Sequence, residues 1–173
     1  MEEKIGLFIG RFQPFHHGHL SIVREALKKC DRLIIAVGSS QESRTKRNPF
    51  NFEERKEFIW RGLKGLNNKV IIIPVPDRPI YGDDASWGQY VLECVEAECG
   101  LRPTINFEGE EVCRSTWFDG LGIERVSIDR TLIPYSATEV RESIKNSDYF
   151  VFCDMVPTGL WIEYEKMRKL LWR

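Results

Sequence analysis

Three apolar runs, Ile5 to Ile9, Leu33 to Val37 and Val70 to Val75, occupy the first half of this 173-residue chain. Each is followed by a loop containing Gly, Pro or Ser and then by a stretch with helical periodicity. None of the runs alternates with polar residues, so they fit strands buried on both faces, as in a parallel sheet covered by helices. The pattern reads β-loop-α three times. Helices are expected from His19 to Cys30, with Leu20, Val23 and Leu27 on one face, from Phe52 to Leu63, with Phe58, Ile59 and Leu63, and from Ser86 to Cys99, with Tyr90, Val91 and Val95. Weaker strands at Thr104 to Phe107 and Arg125 to Ile128 complete a sheet of about five strands. A helix from about Ala137 to Asn146 and an amphipathic helix from about Leu160 to Leu171 close the chain. Gly109 to Gly122 carries the least signal. The expectation is α/β, a doubly wound parallel sheet with helices on both faces and a C-terminal helix appended, in a single domain spanning 1–173.

Composition mainly excludes. A hydrophobic fraction of 42% and a charged fraction of 29% are those of a folded globular chain, and a net charge of −1 supplies no global field toward nucleic acid or a membrane surface. No segment has the length of a membrane span or the flanks of a signal peptide, so a cytoplasmic protein is expected. Five cysteines, Cys30, Cys94, Cys99, Cys113 and Cys153, are scattered without a Cys-x-x-Cys pair, which suggests reduced thiols in packing positions and no zinc site.

In an open parallel sheet, ligands bind beyond the carboxyl ends of the strands. The loop after the first run, Gly10-Arg11-Phe12-Gln13-Pro14-Phe15-His16-His17-Gly18-His19, contains every histidine in the chain and runs straight into a helix. Glycines admit a ligand close to the backbone, and free amides at a helix start favour anions. Imidazoles at i and i+3, with Gly18 between them, can face one side and donate to phosphate oxygens while nearly uncharged near neutral pH. The alternatives are two surface histidines with one packed on the sheet, or a metal site. No cysteine or carboxylate stands nearby at ligand spacing, so no metal ligand is assigned.

After the last strand comes Pro134-Tyr135-Ser136-Ala137-Thr138-Glu139-Val140-Arg141. Ser136 and Glu139 have capping-box spacing, which alone would explain the segment. The same helix start, with two hydroxyls and Arg141 one turn inside, also suits a triphosphate tail.

His16-His17-Gly18-His19 resembles the His-x-Gly-His motif of the nucleotidyltransferase superfamily, Rossmann-like α/β enzymes, and Ser136, Thr138 and Arg141 match its Ser-x-Thr-x-x-Arg motif. The segment from Gly38 to Arg55, with the basic residues Arg44, Lys46 and Arg47 before Asn48-Pro49-Phe50, resembles archaeal-type nicotinamide-nucleotide adenylyltransferases, as does Gly10 to His16. Arg44 stands where that family has a histidine. Pro74-Val75-Pro76-Asp77 and Ser86-Trp87-Gly88 resemble segments that bind the nicotinamide nucleotide, although the spacing differs and Asp84 stands near the place of an asparagine. Trp87 can stack on a pyridinium ring or serve as a core residue at a helix start. Phe107 to Glu110 falls where the family has a Ser-Gly-Asn-like turn.

The resemblance implies adenylyl transfer from ATP to nicotinamide mononucleotide, giving NAD and pyrophosphate, with Mg²⁺ on the phosphates. It implies that His16, His19, Arg11 and Arg141 serve catalysis, and that Gly10, Phe12, Gln13, Gly18, Arg47, Gly109, Ser136 and Thr138 contact ATP. Asp77, Trp87 and Ser39 would meet the second substrate. A homo-oligomer is also expected. The competing readings are transfer to pantetheine phosphate, flavin mononucleotide or a polyol phosphate, and a nucleotide sensor without turnover.

Overall fold

The computed structural model describes residues 3–78, 84–110 and 116–172. Cys113 and the side chain of Asp84 lie outside them. Strands β1 (Ile5–Gly10), β2 (Arg32–Val37), β3 (Val70–Pro74), β4 (Ile105–Gly109) and β5 (Glu124–Ile128) form one parallel sheet in the order β3-β2-β1-β4-β5. The order reverses between β1 and β4, which creates the switch point where a crevice opens beyond the strand ends.

The helices are α1 (His17–Ala26), α2 (Phe52–Gly62), α3 (Asp84–Cys99), α4 (Ala137–Lys145), α5 (Tyr149–Met155) and α6 (Tyr164–Leu171). One face of the sheet, carrying Phe8, Leu33, Ile35 and Phe107, packs against apolar residues of α1, α2, α4, α5 and α6. The other, carrying Ile5, Leu7, Ile34, Ala36 and Ile73, packs against Trp87, Val91, Leu92 and Val95 of α3. Two-sided burial is why β1 to β3 lack polar alternation.

Several boundaries and one element differ from expectation; α1 ends at Ala26, short of Cys30, and β4 runs to Gly109. The first helix begins at His17 and not at His19, because His16 serves as its cap. The expected C-terminal helix from Leu160 is a 3-10 segment, Thr158–Glu163, that passes into α6. Helix α5 was not expected. Its N-cap Asp148 accepts from Val151 N at 3.1 Å, and Phe152 anchors it in the core. The described cysteines Cys30, Cys94, Cys99 and Cys153 are free thiols, and burial pushes that of Cys30 up to about 11. Among the described residues, no helix is long and apolar enough to cross a membrane.

Candidate functional site

The turn between β1 and α1 is built from the inside out. Phe12 adopts a positive φ of 50° and is 1% exposed, which folds the backbone back over its own ring. Gln13 is also buried. Its Nε2 donates to Phe50 O at 2.9 Å and its Oε1 accepts from Phe50 N at 3.0 Å, so the side chain joins this loop to the segment before α2 as a strand would. Arg55, from α2, is fully buried and has carbonyls as its hydrogen-bond partners. Its Nη1 donates to Arg11 O at 3.0 Å and Gly38 O at 2.7 Å, and its Nη2 to Ser39 O at 2.9 Å. Burial, then the nearby Arg11, pulls its pKa down to about 10. One guanidinium thus fixes the loops after β1 and β2 relative to each other.

The histidines cap their own helix. His16 Nδ1 accepts from Gly18 N at 3.1 Å, and His19 Nδ1 accepts from His16 N at 3.3 Å. The rings stack with centroids 3.7 Å apart. An Nδ1 that accepts carries no proton, so each neutral ring holds its hydrogen on Nε2. Burial pushes His16 down to about 3, with Arg130 adding to the shift. Burial, His16 and Arg130 likewise hold His19 well below the ordinary imidazole value. Both rings are therefore uncharged donors at neutral pH. His17 turns elsewhere, toward the backbone of Val156. A Cβ on Gly18 would come 2.5 Å from Arg130 Nη1 and 2.9 Å from the His16 ring, so only glycine lets that arginine lie over the helix start.

At the start of α4, Ser136 accepts from Glu139 N at 3.3 Å, and Glu139 Oε2 accepts from Ser136 N at 2.8 Å and from Ser136 Oγ at 2.7 Å. The capping box expected from spacing is present. The first-turn amides of Ala137 and Thr138 are not consumed by it. Arg141 donates to Gln13 O at 2.7 Å and to Thr138 Oγ1 at 3.3 Å, tying the two helix starts together across 128 residues of sequence.

Between these helix starts lies a cavity of about 460 Å³, well within the range of small-molecule sites. Of the residues expected to act on ATP, Gly10, Arg11, Phe12, Gln13, His16, His19, Arg47, Gly109, Ser136, Thr138 and Arg141 line it. Arg11 is depressed by burial and then by Arg47, and Arg141 by burial and then by Arg11. Guanidinium groups crowded in this way suit an anion that would neutralise them.

The remaining expected residues sit elsewhere. Gly18 lies under His16 and Arg130, away from the lining. Ser39 and Asp77 form a pair outside the cavity. Ser39 Oγ donates to Asp77 Oδ1 at 3.1 Å, and Gln41 binds both the Asp77 carboxylate and its backbone N–H. Trp87 is 7% exposed in the α3 core, which is the packing alternative considered from sequence. Arg44 is absent from the lining too, engaging Glu54 through two hydrogen bonds of 2.7 and 2.6 Å.

Among the lining residues that sequence reasoning did not assign to the site are Trp117, Asn106, Glu108 and Arg130. Trp117 packs edge-on to Trp87, with centroids 6.2 Å apart. A Cβ at Gly88 would fall 1.5 Å from Trp117 O, so this glycine permits the close approach of α3. Polar residues at alternate positions of β4 were the available signal for Asn106 and Glu108.

Residues 7–75 match the cytidylyltransferase-like family model. The nicotinamide-nucleotide adenylyltransferase of Methanococcus aeolicus is 34% identical over 158 residues, covering 89% of this chain and 84% of that one. The enzyme of that name from Saccharolobus solfataricus is 52% identical over 75 residues, which span 42% of this chain and 44% of the relative. That match thus takes in less than half of the relative's length. The fold is shared with a bifunctional NMN adenylyltransferase/ADP ribose pyrophosphatase from Francisella tularensis, crystallised with AMP and a manganese ion. The TM-score is 0.70 at 24% identity, over 98% of this chain and 52% of that one.

Proposed function

The chain belongs to the archaeal-type nicotinamide-nucleotide adenylyltransferases, and from that premise we propose that it joins ATP to nicotinamide mononucleotide, giving NAD and pyrophosphate. The observation that carries this reading is the single cavity lined by His16 and His19 on one side and Ser136 and Thr138 on the other. In the reaction an oxygen of the mononucleotide phosphate forms a bond to the α-phosphorus of ATP as the bond from that phosphorus to the bridging oxygen breaks. No protein nucleophile is needed, so the protein's task is alignment and charge stabilisation.

The Nε2–H groups of His16 and His19 donate to the phosphoryl oxygens at the reacting centre. They gain strength there by being fixed and dry, and they need no protonation change to do so. The amides of Ala137 and Thr138, with the Ser136 and Thr138 hydroxyls, hold the tail, while Arg11, Arg47 and Arg141 neutralise the phosphates and the departing pyrophosphate. Gly10, Phe12, Gln13 and Gly109 shape the nucleotide's bed, and Gly18 keeps the His16 cap closed.

A divalent metal fits as a rider on the substrate. Among the described residues no three His, Cys, Asp or Glu side chains converge, which suits Mg²⁺ held mainly by nucleotide phosphates, where it would neutralise their charge. Trp117, on the cavity wall, is better placed than Trp87 to meet a planar ring, and Ser39 and Asp77 act on the mononucleotide only if it extends beyond the cavity. A homo-oligomer is part of this reading through the family resemblance, with Phe150, Ile162 and Trp172 among the exposed apolar residues.

Incubating the protein with ATP and, separately, nicotinamide mononucleotide, pantetheine phosphate, flavin mononucleotide or a polyol phosphate tests the reading through pyrophosphate release and product identity. NAD is the expected product. His19→Ala should reduce turnover by about 2–4 kcal/mol of transition-state stabilisation. Product from another acceptor alone, or a near-normal rate in His19→Ala, contradicts the proposal.

A further inference from the structure

The cavity between the helix starts shares Arg141 with a second, smaller cavity of about 210 Å³. The loop after β2 reaches both as well, supplying Arg47 to the first and its neighbours Arg44 and Lys46 to the second. Helix α4 runs from one to the other. Thr138, Arg141 and Lys145 are spaced i, i+3 and i+7 and so share a face of that helix. Thr138 lines the first cavity, Lys145 the second, and Arg141 both. At 1.5 Å of rise per residue, this polar stripe extends about 10 Å along α4. The second cavity is cationic. Arg44, Lys46, Arg141 and Lys145 line it, and no carboxylate is among the described lining residues. Glu54 holds Arg44 at 2.6 Å and Glu142 holds Lys145 at 3.0 Å, so the cations outnumber the carboxylates that steady them. Leu170 and Leu171 of α6 make one wall apolar, which strengthens the field felt by an anion inside. The reaction proposed above leaves this space unused.

We propose that the second cavity is a phosphate subsite beyond the end of the ATP tail, and that it lets the protein use inorganic tripolyphosphate as an acceptor of the adenylyl group of NAD. The inference rests on the functional reading above, run in reverse, where pyrophosphate and NAD return ATP and nicotinamide mononucleotide. With tripolyphosphate, a terminal oxygen of the chain forms a bond to the adenosine-side phosphorus of NAD as the bond from that phosphorus to the bridging oxygen breaks. The bridging oxygen leaves with nicotinamide mononucleotide, and the other product is adenosine 5′-tetraphosphate. Atoms and charge balance without a proton or a further reactant. Three phosphates of that product occupy the bed of the ATP tail, and the fourth passes Arg141 to meet Lys46 and Lys145. A guanidinium has five N–H donors, more than the Arg141 bonds to Gln13 O and Thr138 Oγ1 use, so it can bridge the third and fourth phosphates. The two ammonium groups are compact charges on flexible stems, which suits the mobile end of a chain.

The test is to incubate the protein with NAD, Mg²⁺ and either pyrophosphate or tripolyphosphate, and to identify the nucleotide formed by ion-exchange chromatography. Pyrophosphate should give ATP. Tripolyphosphate should give adenosine tetraphosphate, with kcat/KM within about tenfold of that for pyrophosphate. In the double variant Lys46→Gln, Lys145→Gln, kcat/KM for tripolyphosphate should fall about tenfold, mainly through KM, while that for pyrophosphate changes less than about threefold. Lys46→Gln alone, on an exposed loop, should show the same selectivity with about a threefold loss, and it serves if the double variant does not fold. A wild-type protein that makes ATP from pyrophosphate but no adenosine tetraphosphate from tripolyphosphate overturns the inference alone. So does a variant that loses both activities equally or neither. Absence of ATP from NAD and pyrophosphate overturns the functional reading with it.

Discussion

The two helix starts that face the cavity do similar work with opposite materials. At α1 the cap is buried, neutral and aromatic, with His16 2% exposed, and its hydrogen bonds run between imidazoles and backbone. At α4 the cap is exposed and charged, a serine closed by the Glu139 carboxylate. The first is held from behind by Arg55 and Gln13, and the second largely by its own turn. A buried cap of neutral rings keeps a fixed shape and tautomer, which suits the reacting centre. A wet capping box tolerates adjustment, which suits the end of a flexible tail. On the proposed reading, two helix N-termini that serve one ligand are thereby divided into a rigid and a compliant half.

Removing the support should expose the largest difference. Arg55→Leu leaves the carbonyls of Arg11, Gly38 and Ser39 without their buried partner, and should cost about 4 kcal/mol of unfolding free energy. Denaturant melts would measure this, and a loss below about 1 kcal/mol would mean that the α1 turn stands without help.

Acid should separate the two caps next. The unfolded chain binds a proton at His16 near 6.5, whereas the folded chain resists it down to about 3. The folded pKa is the lower one, so stability falls as pH drops through that window, by up to about 1.4 kcal/mol per unit for each histidine that behaves this way. Glu139, lowered from 4.5 by its bonds from Ser136, loses its contribution only as pH falls below that value. Thermal midpoints taken from pH 7 to 3 should therefore begin to decline near 6.5. The decline should be shallower in His16→Asn, whose amide oxygen can still cap the helix. Identical slopes in the two proteins would refute the assignment to His16.

The smallest effect belongs to the exposed cap, where Ser136→Ala should cost about 1 kcal/mol of stability and leave the decline above pH 5 unaltered. A change in that upper part of the profile would mean that the two starts are more tightly coupled than the Arg141 contact implies.

Much of this frame is legible in the residues. The strands β1 to β3 are apolar without interruption because helices cover both their faces, and a run such as Leu33 to Val37 has no other comfortable place. The two motifs that line the cavity are local in sequence, so Ser136, Thr138 and Arg141 can be paired with His16 and His19 before any coordinates exist. Failures arise where the cause is distant. The start of α1 is misread because histidine is an unusual cap. Tyr149 to Met155 reads as an apolar run without period, and its helicity depends on Asp148 and on Phe152 reaching the core. Trp87 looks like a stacking residue until the turn carrying Trp117 closes over it. Glu108 and Arg130 acquire their places through the ion pair with Arg125 on the neighbouring strand and the bare Cα of Gly18, which no linear pattern encodes.

The hydrogen bond from Arg141 to Gln13 O has a consequence for how the protein comes into being. During synthesis the first three strands emerge long before α4, and they bring the imidazoles with Arg11 and Arg47 but neither the Ser136 and Thr138 hydroxyls nor Arg141. A shortened chain ending before residue 136 would keep both imidazoles and lose the bond from Arg141 to Gln13 O across the crevice. On the proposed reading, residues 7–75, the stretch that matches the family model, hold one side of the triphosphate site, and the other side is supplied only when α4 is in place.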